Sequence, residues 1–164
     1  MLLLNSLLSG VIFSVFMGML ITIIQFINPR YELKSYPEKI KNKVPPLNDR
    51  EKRNFRIFIS ITLPVILALL LLDFFMRINY DNILLIFLHF VIVQLSWVIF
   101  DLIIMDWLIF CTITPKYLIL KGSENDREYK NYSFHLRGIV IGIPISLFIS
   151  LFLSLLVFLI KTII

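Results

Sequence analysis

Four long apolar runs alternate with polar stretches along the chain: Leu7 to Ile27, Ile57 to Met76, Ile83 to Phe110 and Ile139 to Ile160. Each is near the ~20 residues with which an α-helix crosses a hydrocarbon core of about 30 Å. The pattern predicts an all-α membrane protein with four transmembrane helices, at residues 7–27, 57–76, 83–110 and 139–160. Nothing between the runs is long enough for a separate soluble core, so residues 1–164 form a single polytopic domain. The first run has no basic leader, and no small-residue cleavage pattern follows it. It is expected to stay as a helix rather than serve as a signal peptide.

The polar stretches carry their own signals. Asn28-Pro29-Arg30 stops the first helix, because proline cannot continue the hydrogen-bond ladder. Ser35 and Pro37 can start a short interfacial helix whose Tyr36, Ile40 and Val44 lie on the membrane surface, and Pro45-Pro46 ends it. Asn48 followed by Glu51 matches a capping box, which starts the second long helix near Asp49, about two turns before the apolar run. Asp73 and Arg77 are four apart at the far end of that helix and should pair. A short turn, Arg77 to Asn82, leads to the third helix. The last loop turns through Lys121 to Asp126, then returns by a short amphipathic piece bearing Tyr129, Tyr132 and Phe134.

Small residues recur every fourth position in two helices. The first carries Ser6, Gly10, Ser14, Gly18 and Thr22, and the last Gly138, Gly142, Ser146, Ser150 and Ser154. Such ladders let helix backbones approach closely where apolar burial cannot drive association. Gly10, Ser14, Gly18, Gly142, Ser146 and Ser150 are therefore the expected packing positions. The simplest arrangement packs the first helix on the fourth within one chain; a homo-oligomer, or a membrane-protein partner, is the alternative.

Charge adds an orientation. Only 16% of residues are charged, against about 25% in an average soluble domain, and 59% are hydrophobic. Nine lysines and arginines fall between Asn28 and Arg56 and five between Cys111 and Gly138, which by the positive-inside rule are both cytoplasmic. Both termini are then extracytoplasmic. One alanine beside abundant Ile, Leu, Phe, Lys and Asn suits an AT-rich bacterial genome, so the expected location is a bacterial cell membrane. Membrane lipid is the expected partner, with anionic headgroups facing the basic loops. The charges abut helix ends and form no base-reading motif, which argues against nucleic acid. The single cysteine, Cys111, permits no internal disulfide and no all-cysteine metal site. No motif calls for a cofactor or a metal.

Candidate chemistry concentrates in the third run, which contains Asp101 and Asp106. Carboxylates in hydrocarbon cost a few kcal/mol each on insertion scales, and they often mark functional sites. On a regular α-helix, five residues rotate by about 140°, so the two acids should not share a face. Asp101 instead shares a stripe with Gln94, Trp97 and Met105, which is expected to face inward. Arg30, Lys116, His135 and Arg137 lie at matching depth on the basic side. Together with Asp101 and Asp106 they make a candidate polar cluster. His89 belongs to the opposite half and is too distant to relay protons to either acid. The structural alternative is that Asp101 pairs with Arg137 or Arg30 only to close the bundle.

Three stretches carry a family resemblance. They are Asn28-Pro29-Arg30 with Val44-Pro45-Pro46 and Arg50-Glu51-Lys52-Arg53; Asp101 through Asp106-Trp107-Leu108 to Thr114-Pro115-Lys116; and Phe134-His135-Leu136-Arg137-Gly138. The pattern resembles a family of small bacterial four-helix membrane proteins with no assigned activity. The resemblance implies a topology and no mechanism.

Three functions are compatible with these features. The first is a non-enzymatic accessory, transport-related or immunity-type helper whose acidic site binds a cation, a proton or a basic group. The second is a membrane enzyme acting on a lipid headgroup, with Arg30, Lys116 and Arg137 holding phosphate and Asp106 or His135 as acid or base. The third is a helix-packing subunit with no site. The phosphate-binding glycine loop, the zinc-binding His-Glu-x-x-His and the Gly-x-Ser-x-Gly elbow are all missing, which favours the first.

Overall fold

The computed structural model describes residues 1–78 and 80–163; Asn79, inside the expected Arg77 to Asn82 turn, and Ile164 lie outside the described residues. Five α-helices follow in order: α1 (Leu2–Ile27), α2 (Glu38–Lys41), α3 (Asp49–Asp73), α4 (Ile83–Phe100) and α5 (Tyr132–Ile163). Two of them run on in wider π-type turns, α3 through Phe74–Ile78 and α4 through Asp101–Ile113. Counting those extensions, four helices are long and apolar enough to cross a membrane. Short 3₁₀ turns occupy Pro29–Ser35, Lys116–Leu118 and Arg127–Lys130, and the described residues contain no strand.

Local chemistry sets the helix ends. Asn28 closes α1, and its Oδ1 accepts the Arg30 N–H at 3.0 Å. At α3 the capping box forms: Asn48 Oδ1 accepts the Glu51 N–H at 2.9 Å while Glu51 Oε2 accepts the Asn48 N–H at 2.8 Å. Asn82 starts α4 by accepting the Leu84 N–H at 2.8 Å. Asp73 and Arg77 pair at 2.7 Å, as their spacing predicts. The long helices outrun their apolar runs because capping and backbone bonding continue into the polar flanks.

The packing order differs from the expected one. α4 is the centre of the bundle, with α1 against one side and α5 against the other, so α1 and α5 are not principal partners. Gly10 and Gly18 allow α1 to close on α4. A Cβ at Gly10 would fall 2.5 Å from Ser96 Oγ, and one at Gly18 would fall 2.9 Å from the Phe100 ring. Ser14 is buried beside them, its hydroxyl donating to the Gly10 carbonyl at 2.6 Å. On α5, Ser146, Ser150 and Ser154 are buried, whereas a Cβ at Gly142 would meet only Val98 at 3.9 Å and one at Gly138 nothing within 4 Å. A four-residue step overshoots a turn by about 40°, so the two ends of the ladder face different neighbours.

Two cores result. At one end Phe13, Leu70, Phe74, Phe90, Leu153 and Val157 join all four long helices. Ser6 and buried His89 hydrogen-bond there at 3.0 Å, and Lys161 reaches Asp81 at 2.6 Å. At the other end the two long loops form a cap of their own. Tyr36, Ile40 and Val44 are buried against Phe110, Leu118 and Tyr129 rather than lying on a membrane surface. The Tyr36 hydroxyl donates to the Leu118 carbonyl at 2.9 Å, and two ion pairs bind the loops, Lys39–Glu128 at 2.6 Å and Lys43–Asp126 at 2.7 Å. Between these cores α3 touches its neighbours chiefly at its two ends.

Candidate functional site

The consequence of that loose middle is a cleft of about 1100 Å³. Met17 and Ile21 of α1, Leu63 and Leu67 of α3, and Ile145 and Ile149 of α5 supply apolar walls. Polar groups gather toward the capped end. The volume is at the upper limit of ordinary small-molecule pockets, which run to about 1,000 Å³.

α4 supplies the polar line. Gln94, Trp97, Asp101 and Met105 all border the cleft, as their α-helical spacing requires. Asp106 borders it too, against the expectation that the acids diverge by 140°. The reason is the winding beyond Phe100: i→i+5 bonding, as from the Thr114 N–H to the Ile109 carbonyl at 2.9 Å, brings residues five apart nearly into line. The periodicity assumed for a regular helix could not anticipate this.

Of the predicted cluster, His135 and Asp106 meet directly. His135 Nδ1 is 2.9 Å from Asp106 Oδ1. Asp106 Oδ1 accepts in this contact and His135 Nδ1 donates, with Nε2 the ring's other nitrogen. That Nε2 is buried without a hydrogen-bond partner, and the His135 ring lies 4.9 Å from that of Phe110. Arg137 borders the same cleft from α5 and is exposed. Arg30 is engaged elsewhere, with Glu51 at 3.1 Å and the Pro45 and Pro46 carbonyls at 2.8 and 2.7 Å. Lys116 is exposed and does not border the cleft. Neither Arg30 nor Arg137 pairs with Asp101, whose carboxylate has no ion-pair or hydrogen-bond partner among the described residues. Buried Cys111 belongs to the cap core.

The first loop contributes what sequence reasoning missed. Glu32, Lys34, Ser35 and Glu38 roof the polar end of the cleft. Ser35 donates to Glu32 Oε2 at 3.3 Å, but burial outweighs that bond and raises the Glu32 carboxyl above its usual range. Burial likewise raises the Tyr36 phenol. Only the run of mixed charge between Arg30 and Lys41 hinted at such a role. Around the cleft stand Glu32, Glu38, Asp101 and Asp106 with Lys34 and Arg137, and Glu38, at the exposed rim, pairs with Lys41 at 2.6 Å.

No family model, curated protein or solved structure matches the chain. Among the described residues no group of three His, Cys, Asp or Glu side chains is arranged to hold a metal ion. What the cleft offers is an apolar trough joined to an acidic end, an arrangement complementary to an amphiphile.

Proposed function

We propose that the protein is a multi-pass membrane protein that holds an amphiphilic ligand drawn from the bilayer. The ligand's apolar part lies between α3 and α5, and its polar end lies among Asp101, Asp106, His135 and Arg137. The observation that carries this reading is the cleft itself, whose apolar walls open between helices that scarcely touch and lead to an acidic end. Membrane embedding is supported by the outward surface of α3, where Ile57, Ile59, Ile61, Val65 and Leu72 are exposed, far more apolar surface than a soluble monomer tolerates. The basic loops would face the cytoplasm, with Arg50, Lys52, Arg53 and Arg56 exposed toward anionic headgroups at the start of α3.

A headgroup-modifying enzyme has only the Asp106–His135 contact behind it. His135 Nε2 has almost no accessible surface, so a substrate proton has no open route to that nitrogen. A binding or carrier role needs no such route.

The test uses the full chain purified from membranes into nanodiscs and examined by native mass spectrometry. One amphiphile per chain is the expected retained species. Gly142→Trp, which has room at its Cβ and fills the trough, is expected to lower retention about tenfold, the loss of roughly 1.4 kcal/mol of binding, without lowering the unfolding temperature. Equal retention by the variant overturns the reading.

A further inference from the structure

We infer that the polar group recognised by this cleft is a cation, a protonated amine carried on an apolar tail, and that Asp101 is the carboxylate that receives it. The inference rests on the reading of the cleft as an amphiphile site and names the ligand's charge. Asp101 lies five residues deeper along α4 than the Asp106–His135 contact, and no protein group among the described residues pairs with it. Asp101 is half-buried, and a carboxylate drawn even partly out of water is disfavoured unless a partner compensates it. Lys34 of the first loop and Arg137 of α5 border the cleft but are exposed, and neither pairs with Asp101. α1 brings Phe13, Met17, Ile21 and Gln25 to the cleft and α3 only leucines and isoleucines, so neither offers a lysine or arginine.

Gln94 supplies a second, independent observation. It is 5% exposed, borders the cleft two turns deeper on α4, and its amide has no hydrogen-bond partner among the described residues. Its amide keeps a small accessible surface where it borders the cleft, so it is free to hydrogen-bond a ligand. Trp97, between Gln94 and Asp101, also borders the cleft, and an indole face attracts a cation. Of the four carboxylates at the cleft, Glu38 pairs with Lys41, Asp106 meets His135 and Glu32 accepts from Ser35, so Asp101 alone has no protein partner among the described residues. A phosphate placed at Arg137 would have to face the uncompensated Asp101. An ammonium there meets a carboxylate instead, with Trp97 about one turn deeper on the same stripe.

The experiment compares three probes of one tail length, dodecylamine, dodecanol and dodecyl phosphate, binding to the full chain in nanodiscs with empty nanodiscs as blank. Dodecylamine is expected to bind about tenfold more tightly than the other two, a difference of about 1.4 kcal/mol. Asp101→Asn, nearly isosteric, is expected to bring amine affinity down to that of the alcohol and to leave the alcohol unchanged, which shows that the cleft is still folded. Equal amine and alcohol binding, a preference for the phosphate, or an amine preference that survives Asp101→Asn overturns the inference while leaving the amphiphile reading in place. Failure of all three probes to bind above the blank overturns both.

Discussion

Gly10 is where a single atom matters most. Its missing Cβ lets α1 reach Ser96, and any replacement puts that carbon 2.5 Å from the Ser96 hydroxyl oxygen. Gly10→Leu is expected to destabilise the fold by about 1–3 kcal/mol through overpacking, seen as a lower unfolding temperature in detergent. Gly138→Ala, with nothing within 4 Å of the added carbon, is expected to be neutral or to stabilise by up to about 1 kcal/mol. The sequence reading placed both glycines on ladders of the same kind and could not rank them. Spacing reports which residues share a face, but not what stands opposite. For the same reason the Ser6–His89 bond was invisible: 83 residues separate its partners, and neither lies in a recognisable motif.

At the scale of elements, the capping box at Asn48 and the break at Asn28-Pro29 were legible because each depends on residues within one turn. The face shared by Asp101 and Asp106 was not, because it depends on a change of helical winding that no local residue announces. Tyr36, Ile40 and Val44 show a third case. Their four-residue spacing marks an apolar face, but lipid and the rings of Phe110 and Tyr129 would cover that face equally well. The cap they build makes a pH prediction. Hydrogen bonds from Lys43 and from Lys39 hold the Asp126 and Glu128 carboxyls below their usual range. A lowered folded pKa means that the stabilisation is full above the unfolded value, about 4, and is lost as pH falls through the folded one. Lys39 is held above its usual range by Glu128, so its contribution is full below about pH 10 and fades only as pH rises through its raised value. Buried Cys111 reports on the cap. Its labelling by a pyridyl disulfide, which reacts in acid as well as neutral solution, is expected to be slow and flat from about pH 5 to 8 and faster near pH 3. A Lys39→Met/Lys43→Met variant should label fast throughout; slow labelling of that variant at neutral pH removes the ion pairs from the account.

For the whole molecule, the four long helices were readable because about 20 apolar residues in a row have few other uses. Which helix takes the centre was not, since α1, α4 and α5 are all apolar around most of their circumference and composition alone does not choose among them. The orientation proposed from Lys and Arg is open to direct test. Lys121 and Asp81 are exposed at opposite ends of the bundle, and buried Cys111 gives little background. Asp81→Cys is expected to react with an impermeant maleimide on intact cells, and Lys121→Cys only after permeabilisation. The reverse pattern would place the cap and the polar end of the cleft outside.

The central position of α4 also governs how the chain is made. α1 leaves the ribosome first, yet Ser6 must wait for His89 and Gly10 for Ser96. At about 5–20 residues per second, the 83 residues between Ser6 and His89 take roughly 4–17 s to synthesise. Through that interval α1 stands with its principal partner unmade, and its close glycine face is open to any neighbouring helix. Biogenesis of this small protein therefore has a vulnerable period of seconds, which ends when α4 arrives.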